Sequence, residues 1–279
     1  MKVFYQKETL DTYLNTLNNK ISVGFIPTMG ALHKGHLSLI ERAKAENDVI
    51  VVSIFVNPTQ FDNKEDLIKY PKDLKKDLEF LENINCDMVF APKANEIYND
   101  NIEAEPFDFE GLEHEMEGRH RKGHFDGVGT IVKKLFEIVK PDKAYFGEKD
   151  FQQLQIVKKL VEKFNLPVKI VPCAIFREED GLAMSSRNIR LSELHREEAP
   201  LIYKILKRAK EKFETDSIGK VIKWVEKQFN RNNILELEYF EIADEATLKS
   251  AKHKRKGKNY RAFIAVFVGG VRLIDNIAL

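Results

Sequence analysis

Residues 49–56 read VIVVSIFV, an almost unbroken apolar run between the polar KAEND of 44–48 and Asn57-Pro58. Its length and its β-branched residues suit a strand. A strand that is apolar on both faces has to be covered on both faces. That is the pattern of a central parallel strand packed between two layers of helices, not of an antiparallel sheet with one side in water. The neighbouring sequence supplies the partners. Further strands are expected at 21–26, 86–90, 143–146 and 168–176. Between them Leu37, Leu39, Ile40 and Ala43, then Leu74, Leu78 and Leu81, then Val128, Ile131, Val132, Leu135, Phe136 and Val139, then Leu154, Val157, Leu160, Val161 and Phe164 recur at helical spacing. Leu10, Tyr13, Leu14 and Leu17 place one more helix before the first of these strands. Strands alternating with helices imply a parallel sheet with right-handed crossovers and a ligand crevice at the carboxyl ends of its strands. Residues 107–123, rich in Glu, His and Arg, read as a surface excursion.

The character changes at 177–192, REEDGLAMSSRNIRLS, which reads as a polar hinge. Helices are expected beyond it at 193–213 and 217–229, and strands at 235–242, 260–268 and 272–274. The fold class is therefore α/β, with a parallel-sheet N-terminal domain of residues 1–176 and a smaller α+β C-terminal domain of residues 177–279. The chain of 279 residues is long enough for both cores. Lys+Arg 45 against Asp+Glu 44 leaves no charge bias that would recruit nucleic acid or a membrane surface. No stretch approaches the eighteen or so apolar residues of a membrane helix, and the N-terminus lacks the apolar segment of a secretion signal, so a cytoplasmic protein is expected. Cys86 and Cys173 lie in apolar runs and are expected as buried free thiols.

The first strand runs into Pro27-Thr28-Met29-Gly30-Ala31-Leu32-His33-Lys34-Gly35-His36 and then into a helix. A strand, a glycine-bearing turn and a helix N-terminus together make an anion site, because the free N–H groups and the positive end of the dipole point the same way. Two imidazoles three residues apart fall on one side of one turn and add donors. One histidine there would more often be a cap; H-x-G-H directly after such a turn favours function. Neither G-x-x-x-x-G-K-[ST] nor G-x-G-x-x-G occurs in the chain, so the phosphate site is of neither of those types.

At these residues the chain resembles the H-x-G-H nucleotidyltransferases, and in the longer phrase the pantoate–β-alanine ligase family, also called the pantothenate synthetase family. Four more phrases carry the same resemblance: Phe55–Phe61 as FVNPTQF, Phe146–Gln153 as FGEKDFQQ, Asp180–Asn188 as DGLAMSSRN and Arg272–Asn276 as RLIDN. It runs nearly end to end. The fold it implies is a Rossmann-like catalytic domain followed by a lid domain. The activity it implies is an ATP-dependent ligase joining (R)-pantoate to β-alanine through a pantoyl adenylate, with Mg2+ accompanying ATP as co-substrate and a homodimer as the working form.

The resemblance also implies roles. His36 and His33, with Lys149, Ser185, Ser186 and Arg187, would be catalytic. Met29 to His36, Gly147, Glu148, Lys149, Asp150, Phe176, Met184, Ser185, Ser186 and Arg187 would bind ATP. Pro27, Thr28, Met29, Asn57, Gln60, Arg121 and Gln153 would bind pantoate, with Gln60 also at β-alanine and Asp77 at the metal. An amide suits a substrate that carries alcohols beside a carboxylate, since it both donates and accepts. A carboxylate attacking the α-phosphorus needs no general base, so the protein's work is positioning and charge. Two other readings stand beside this one: a nucleotidyltransferase acting on a phosphate acceptor, and an RNA-binding relative of tRNA synthetases using the basic run 252–258. A zinc site is not expected, because the histidines and cysteines lack ligand spacing.

Overall fold

A computed structural model of the chain describes residues 1–18, 20–62, 64–99 and 101–279. It divides into two compact units. The first comprises Met1–Glu113, Glu117–Glu148 and Gln153–Ala174; the second comprises His114–Met116, Lys149–Gln152 and Ile175–Leu279.

The first unit is built on six parallel strands: β1 (Lys2–Phe4), β2 (Val23–Thr28), β3 (Val49–Ile54), β4 (Met88–Phe90), β5 (Lys143–Gly147) and β6 (Lys169–Cys173), in the spatial order β1-β4-β3-β2-β5-β6. The apolar run of 49–56 supplies β3, and Ile50, Val51 and Val52 have no exposed surface. From β2 the chain builds outward through β3 and β4, then returns to the other side of β2 for β5. The strand order therefore reverses between β2 and β5, the switch point where doubly wound sheets hold ligands. β2 pairs with β3 along its length, Val23↔Val49 to Thr28↔Ile54, but with β5 only at Gly24↔Lys143 and Phe25↔Ala144. The two strands part beyond Phe25, and Pro27, which has no N–H to give, lies in the parted section.

The structure corrects two expectations within residues 1–123. The three-residue edge strand β1, paired Lys2↔Met88 to Phe4↔Phe90, was not expected, being too short to show a period. Residues 107–123 are more than a surface excursion. Phe109 is fully buried, its ring 5.3 Å from that of Phe107, Leu112 is buried too, and a short helix forms at Met116–His120.

The second unit holds an antiparallel sheet of β7 (Leu235–Asp244), β8 (Tyr260–Val268) and β9 (Val271–Ala278), in that order. Gly269 and Gly270, at φ of 57° and 77°, form the two-residue turn that closes the β8–β9 hairpin. Helices Leu201–Thr215 and Ile218–Phe229 bring Ile202, Leu206, Val221 and Val225 into one core with Ile242, Ile264 and Val266 of the sheet. The single helix expected at 193–213 is two, Glu193–Glu198 and Leu201–Thr215, parted by Pro200, which cannot donate to the turn before it. The last strand runs well past 274. Its buried polar residues Asp275 and Asn276 hide the period, and they are paired inside the unit: Asp275 takes both arms of Arg177 at 2.7 and 2.9 Å, and the Asn276 side-chain oxygen takes Arg261 at 2.6 Å.

Candidate functional site

The turn after β2 is held from below and from behind. The Thr28 hydroxyl donates to the Ser53 carbonyl at 2.7 Å and accepts the Gly30 N–H at 3.2 Å. Gly30 and Ala31 both take positive φ, 80° and 50°, which is strained for the alanine. The reversal turns the Ala31 and Leu32 amides onto the carboxylate of Asp77, at 2.9 and 2.7 Å. Asp77 is buried in the first turn of helix Leu74–Asn83. Burial pushes its carboxyl above the ordinary range, while the Leu32 and Ala31 N–H groups pull the other way. A Cβ on Gly30 would stand 2.7 Å from a carboxylate oxygen of Asp77, so position 30 has to be glycine for space as well as for backbone.

His33 and His36 occupy the two ends of a capping box on helix Lys34–Glu46. His33 Nδ1 accepts the Gly35 N–H at 3.1 Å, and His36 Nδ1 accepts the His33 N–H at 3.3 Å. The capping role and the functional role thus coincide. A backbone N–H can only donate, so each Nδ1 is an acceptor and each neutral ring carries its hydrogen on Nε2. The rings lie with centroids 4.1 Å apart. Two ring donors at a helix N-terminus, at the carboxyl edge of a parallel sheet, form an arrangement suited to an anion. Lys34 is exposed beside them.

Beyond β3, Asn57 caps the 3-10 turn Pro58–Gln60 and is almost wholly buried. Its oxygen receives the Tyr98 hydroxyl at 2.5 Å, the Thr59 hydroxyl at 3.1 Å and the Thr59 N–H at 3.4 Å. Its nitrogen donates to the Gly127 carbonyl and to Gln60 Oε1, both at 3.1 Å. Gln60 Nε2 then points to the sulfur of Met29 at 3.0 Å, which brings two of the expected pantoate residues together. Helix His124–Val139 approaches this turn so closely that a Cβ on Gly127 would lie 2.3 Å from the Thr59 carbonyl oxygen. Asn57 was expected as a substrate contact; the structure instead engages both ends of its amide inside the protein. Arg121 adjoins the same turn, with its guanidinium 3.4 Å from the Gln60 carbonyl, 3.2 Å from His124 Nε2, and 3.7 Å from both Glu117 and Asp62. Sequence reasoning missed His124. Its Nδ1 donates to the Gln60 carbonyl at 2.8 Å, so the ring fixes the main chain of that residue. Gln153 lies half-buried in the first turn of helix Phe151–Phe164, after β5.

In the second unit, Lys149 pairs with Asp150 at 3.9 Å, and its carbonyl accepts from Asn276 at 2.9 Å. The stretch expected as a hinge is a braced loop. Arg177 bridges to Ala183, and the Met184 N–H donates to the Phe176 carbonyl at 3.0 Å, which sets those two residues opposite one another. Arg196 reaches Asp180 and Glu178, each at 2.6 Å, and Asn188 donates to Glu178 at 2.8 Å. Burial alone would raise the Asp180 carboxyl, but Arg196 and the Leu182 N–H hold it below the ordinary range. Ser185 Oγ accepts the Arg187 N–H at 3.2 Å and starts the 3-10 turn Ser186–Arg190, so Ser185, Ser186 and Arg187 share one turn.

Asp77, the residue expected at the metal, braces the turn in this structure. Both of its oxygens hold the 31–32 amides, and among the described residues no group of three or more His, Cys, Asp or Glu could hold an ion. Cys86 and Cys173 are buried free thiols; burial lifts Cys86 to about 12.

A parallel sheet whose switch-point turn carries two capping histidines in H-x-G-H defines the nucleotidyltransferase class. The particular family follows from comparison with known proteins. Residues 2–278 match the family model described as Pantoate-beta-alanine ligase. The chain is 58% identical to the pantothenate synthetase of Christiangramia forsetii over 100% of this chain and 99% of that protein, and 55% identical to that of Flavobacterium psychrophilum over 100% of both. The crystal structure of pantothenate synthetase from Thermus thermophilus superposes with a TM-score of 0.90 at 38% identity, covering 99% of each chain. That of the Francisella tularensis pantoate-beta-alanine ligase, complexed with beta-gamma ATP and beta-alanine, does so at 0.82 and 37%, covering 100% of this chain and 97% of the other. The chain belongs to the pantoate-beta-alanine ligase family, whose reaction forms an amide bond. Among the described residues no helix is long and apolar enough to cross a membrane.

Proposed function

We propose that this chain condenses (R)-pantoate with β-alanine at the expense of ATP, giving pantothenate, AMP and pyrophosphate through a pantoyl adenylate. Family membership supports the overall reaction. The observation that carries the site assignment is the pair of Nε2 donors fixed by the 33–36 capping box at the helix N-terminus.

In the first step a pantoate carboxylate oxygen attacks the α-phosphorus and the bond to pyrophosphate breaks. Negative charge grows on the phosphoryl oxygens, where His36 and His33 donate. Met29 to His36 cradle the nucleotide together with Gly147, Glu148 and Asp150. Phe176 and Met184 form its base-side contacts. Lys149, Ser185, Ser186 and Arg187 take the charge of the departing pyrophosphate. Gln60, Gln153 and Arg121 hold pantoate beside Pro27 and Thr28, with Met29 against its methyl groups. In the second step β-alanine binds at Gln60 and its neutral amine attacks the acyl carbon. A C–N bond forms, the acyl–phosphate bond breaks with AMP, and the amine loses a proton. Mg2+ enters with ATP as part of the substrate. Residues 1–176 are assigned as the catalytic domain and residues 177–279 as the lid domain, and the working form is a homodimer in the cytoplasm, where ATP is at hand; support for these comes from the family resemblance.

The test needs pantoate and ATP alone. Pantoate should support exchange of labelled pyrophosphate into ATP without β-alanine, because the amine enters only afterwards. Overall synthesis should rise toward alkaline pH more steeply than exchange, since the amine of β-alanine titrates in the lysine range. Absence of pantoate-dependent exchange would refute the adenylate route.

A further inference from the structure

Asn57 has an orientation that its neighbours leave no freedom to reverse. The Thr59 N–H on one side can only donate, and the Gly127 carbonyl on the other can only accept. The amide oxygen must therefore face Thr59 and Tyr98, and the amide nitrogen must face Gly127 and Gln60. The same logic passes one residue on. Gln60 meets the Asn57 nitrogen with an acceptor, so its Oε1 is turned inward and its Nε2 outward, on the side of Met29. Behind both stands Tyr98, buried in helix Ala94–Tyr98, with its hydroxyl 2.5 Å from the Asn57 oxygen and 3.0 Å from the Thr59 hydroxyl.

We infer that Tyr98 is a positioning residue for Gln60: its hydroxyl anchors Asn57, whose amide, oriented by the Thr59 N–H and the Gly127 carbonyl, makes the pantoate pocket present N–H donors at this point, and so selects a substrate oxygen with a lone pair, an alcohol or a carboxylate, over an ammonium. The inference rests on the assignment of Gln60 to pantoate. A hydroxyl or carboxylate oxygen can accept from Nε2. An ammonium has no lone pair and would set donor against donor. The relay Tyr98 O–H to Asn57 C=O, Asn57 N–H to Gln60 C=O, and Gln60 N–H to substrate thus separates a substrate alcohol from an ammonium through neutral groups.

Tyr98→Phe removes the first donor and keeps the ring. Its effect is read by pantoate-dependent pyrophosphate exchange beside Gln60→Ala, the double variant and Gln60→Glu. Loss of one neutral hydrogen bond in the relay should raise the KM for pantoate about tenfold. The KM for ATP should not move, and the melting temperature should fall by no more than the few degrees that one lost neutral hydrogen bond costs. On a Gln60→Ala background, Tyr98→Phe should change nothing further, because it acts only through Gln60. Gln60→Glu keeps the inward acceptor but loses the outward donor, and should lose as much pantoate affinity as Gln60→Ala. Losses that multiply in the double variant, or a Gln60→Glu enzyme that holds pantoate normally, would overturn the relay while leaving the reaction intact. A wild-type enzyme that gives no exchange with pantoate would instead overturn the functional reading beneath it.

Discussion

Asp77→Asn tests whether the buried acid is a brace for the H-x-G-H turn or a metal ligand. In the wild type two backbone amides, at 2.7 and 2.9 Å, share one carboxylate. Asparagine keeps one acceptor and swings an NH2 group toward the other amide. One charge-assisted bond becomes a neutral one, and the second N–H is left buried facing a donor, a loss of roughly 2–4 kcal/mol. Relief of the burial that lifts the Asp77 carboxyl offsets part of this. The net cost should lower Tm by roughly 5–10 °C in a chain of this size. Displacing the turn by about an ångström should also slow pyrophosphate exchange about a hundredfold.

The pH dependence has a definite sign. A carboxyl whose folded pKa is raised binds its proton more tightly in the folded state, so the wild type gains stability as pH falls through the folded pKa toward the unfolded value near ~3.9. The asparagine variant has no such titration, and the gap between the two should widen on acidification. Thermal melting across pH 4–8, with exchange measured over a range of Mg2+, reads all of this. A variant that melts with the wild type and recovers activity in excess Mg2+ would refute the brace and restore the metal ligand.

Gly30→Ala should cost the strain of positive φ plus a 2.7 Å contact on Asp77, whereas Gly257→Ala, at a similar φ of 78° with nothing within 4 Å, should cost strain alone; comparable Tm losses for the two would show that the contact is harmless. His36→Ala should retain the fold, lose about 1 kcal/mol of helix capping, and slow exchange by about two to three decades, and near-normal turnover would remove His36 from the mechanism. Amide hydrogen exchange across 181–188 should slow when an ATP analogue binds, because Ser185, Ser186 and Arg187 are proposed to meet phosphates; equal protection in both states would count against that role.

What could be read from the sequence and what could not divide along the distance over which residues cooperate. Val49–Val56 announces a central parallel strand because burial on two faces is written in consecutive residues. The H-x-G-H turn is likewise local. The bracing bonds of Asp77 could not be read, because the amides it holds lie 46 and 45 positions away and only the fold brings them to it. The same holds for His124, 64 positions from the carbonyl it holds, and for Tyr98, 41 positions from Asn57. Asn57 and Gln60 look equivalent in FVNPTQF; their difference lies in which faces Gly127 and Tyr98. The edge strand β1 and the split at Pro200 were missed for a humbler reason, since three residues show no period and a continuous apolar stripe conceals a break in its backbone.

The capping box at the start of helix Lys34–Glu46 limits which residues could replace its histidines. A lysine or arginine at 33 or 36 would bring a permanent charge to a phosphate, yet neither has a lone pair to receive the Gly35 or His33 amide, so the helix start would loosen as the charge arrived. Aspartate or serine would cap as well as histidine, and aspartate would repel the anion. Imidazole can accept at one nitrogen and donate at the other in a single fixed ring.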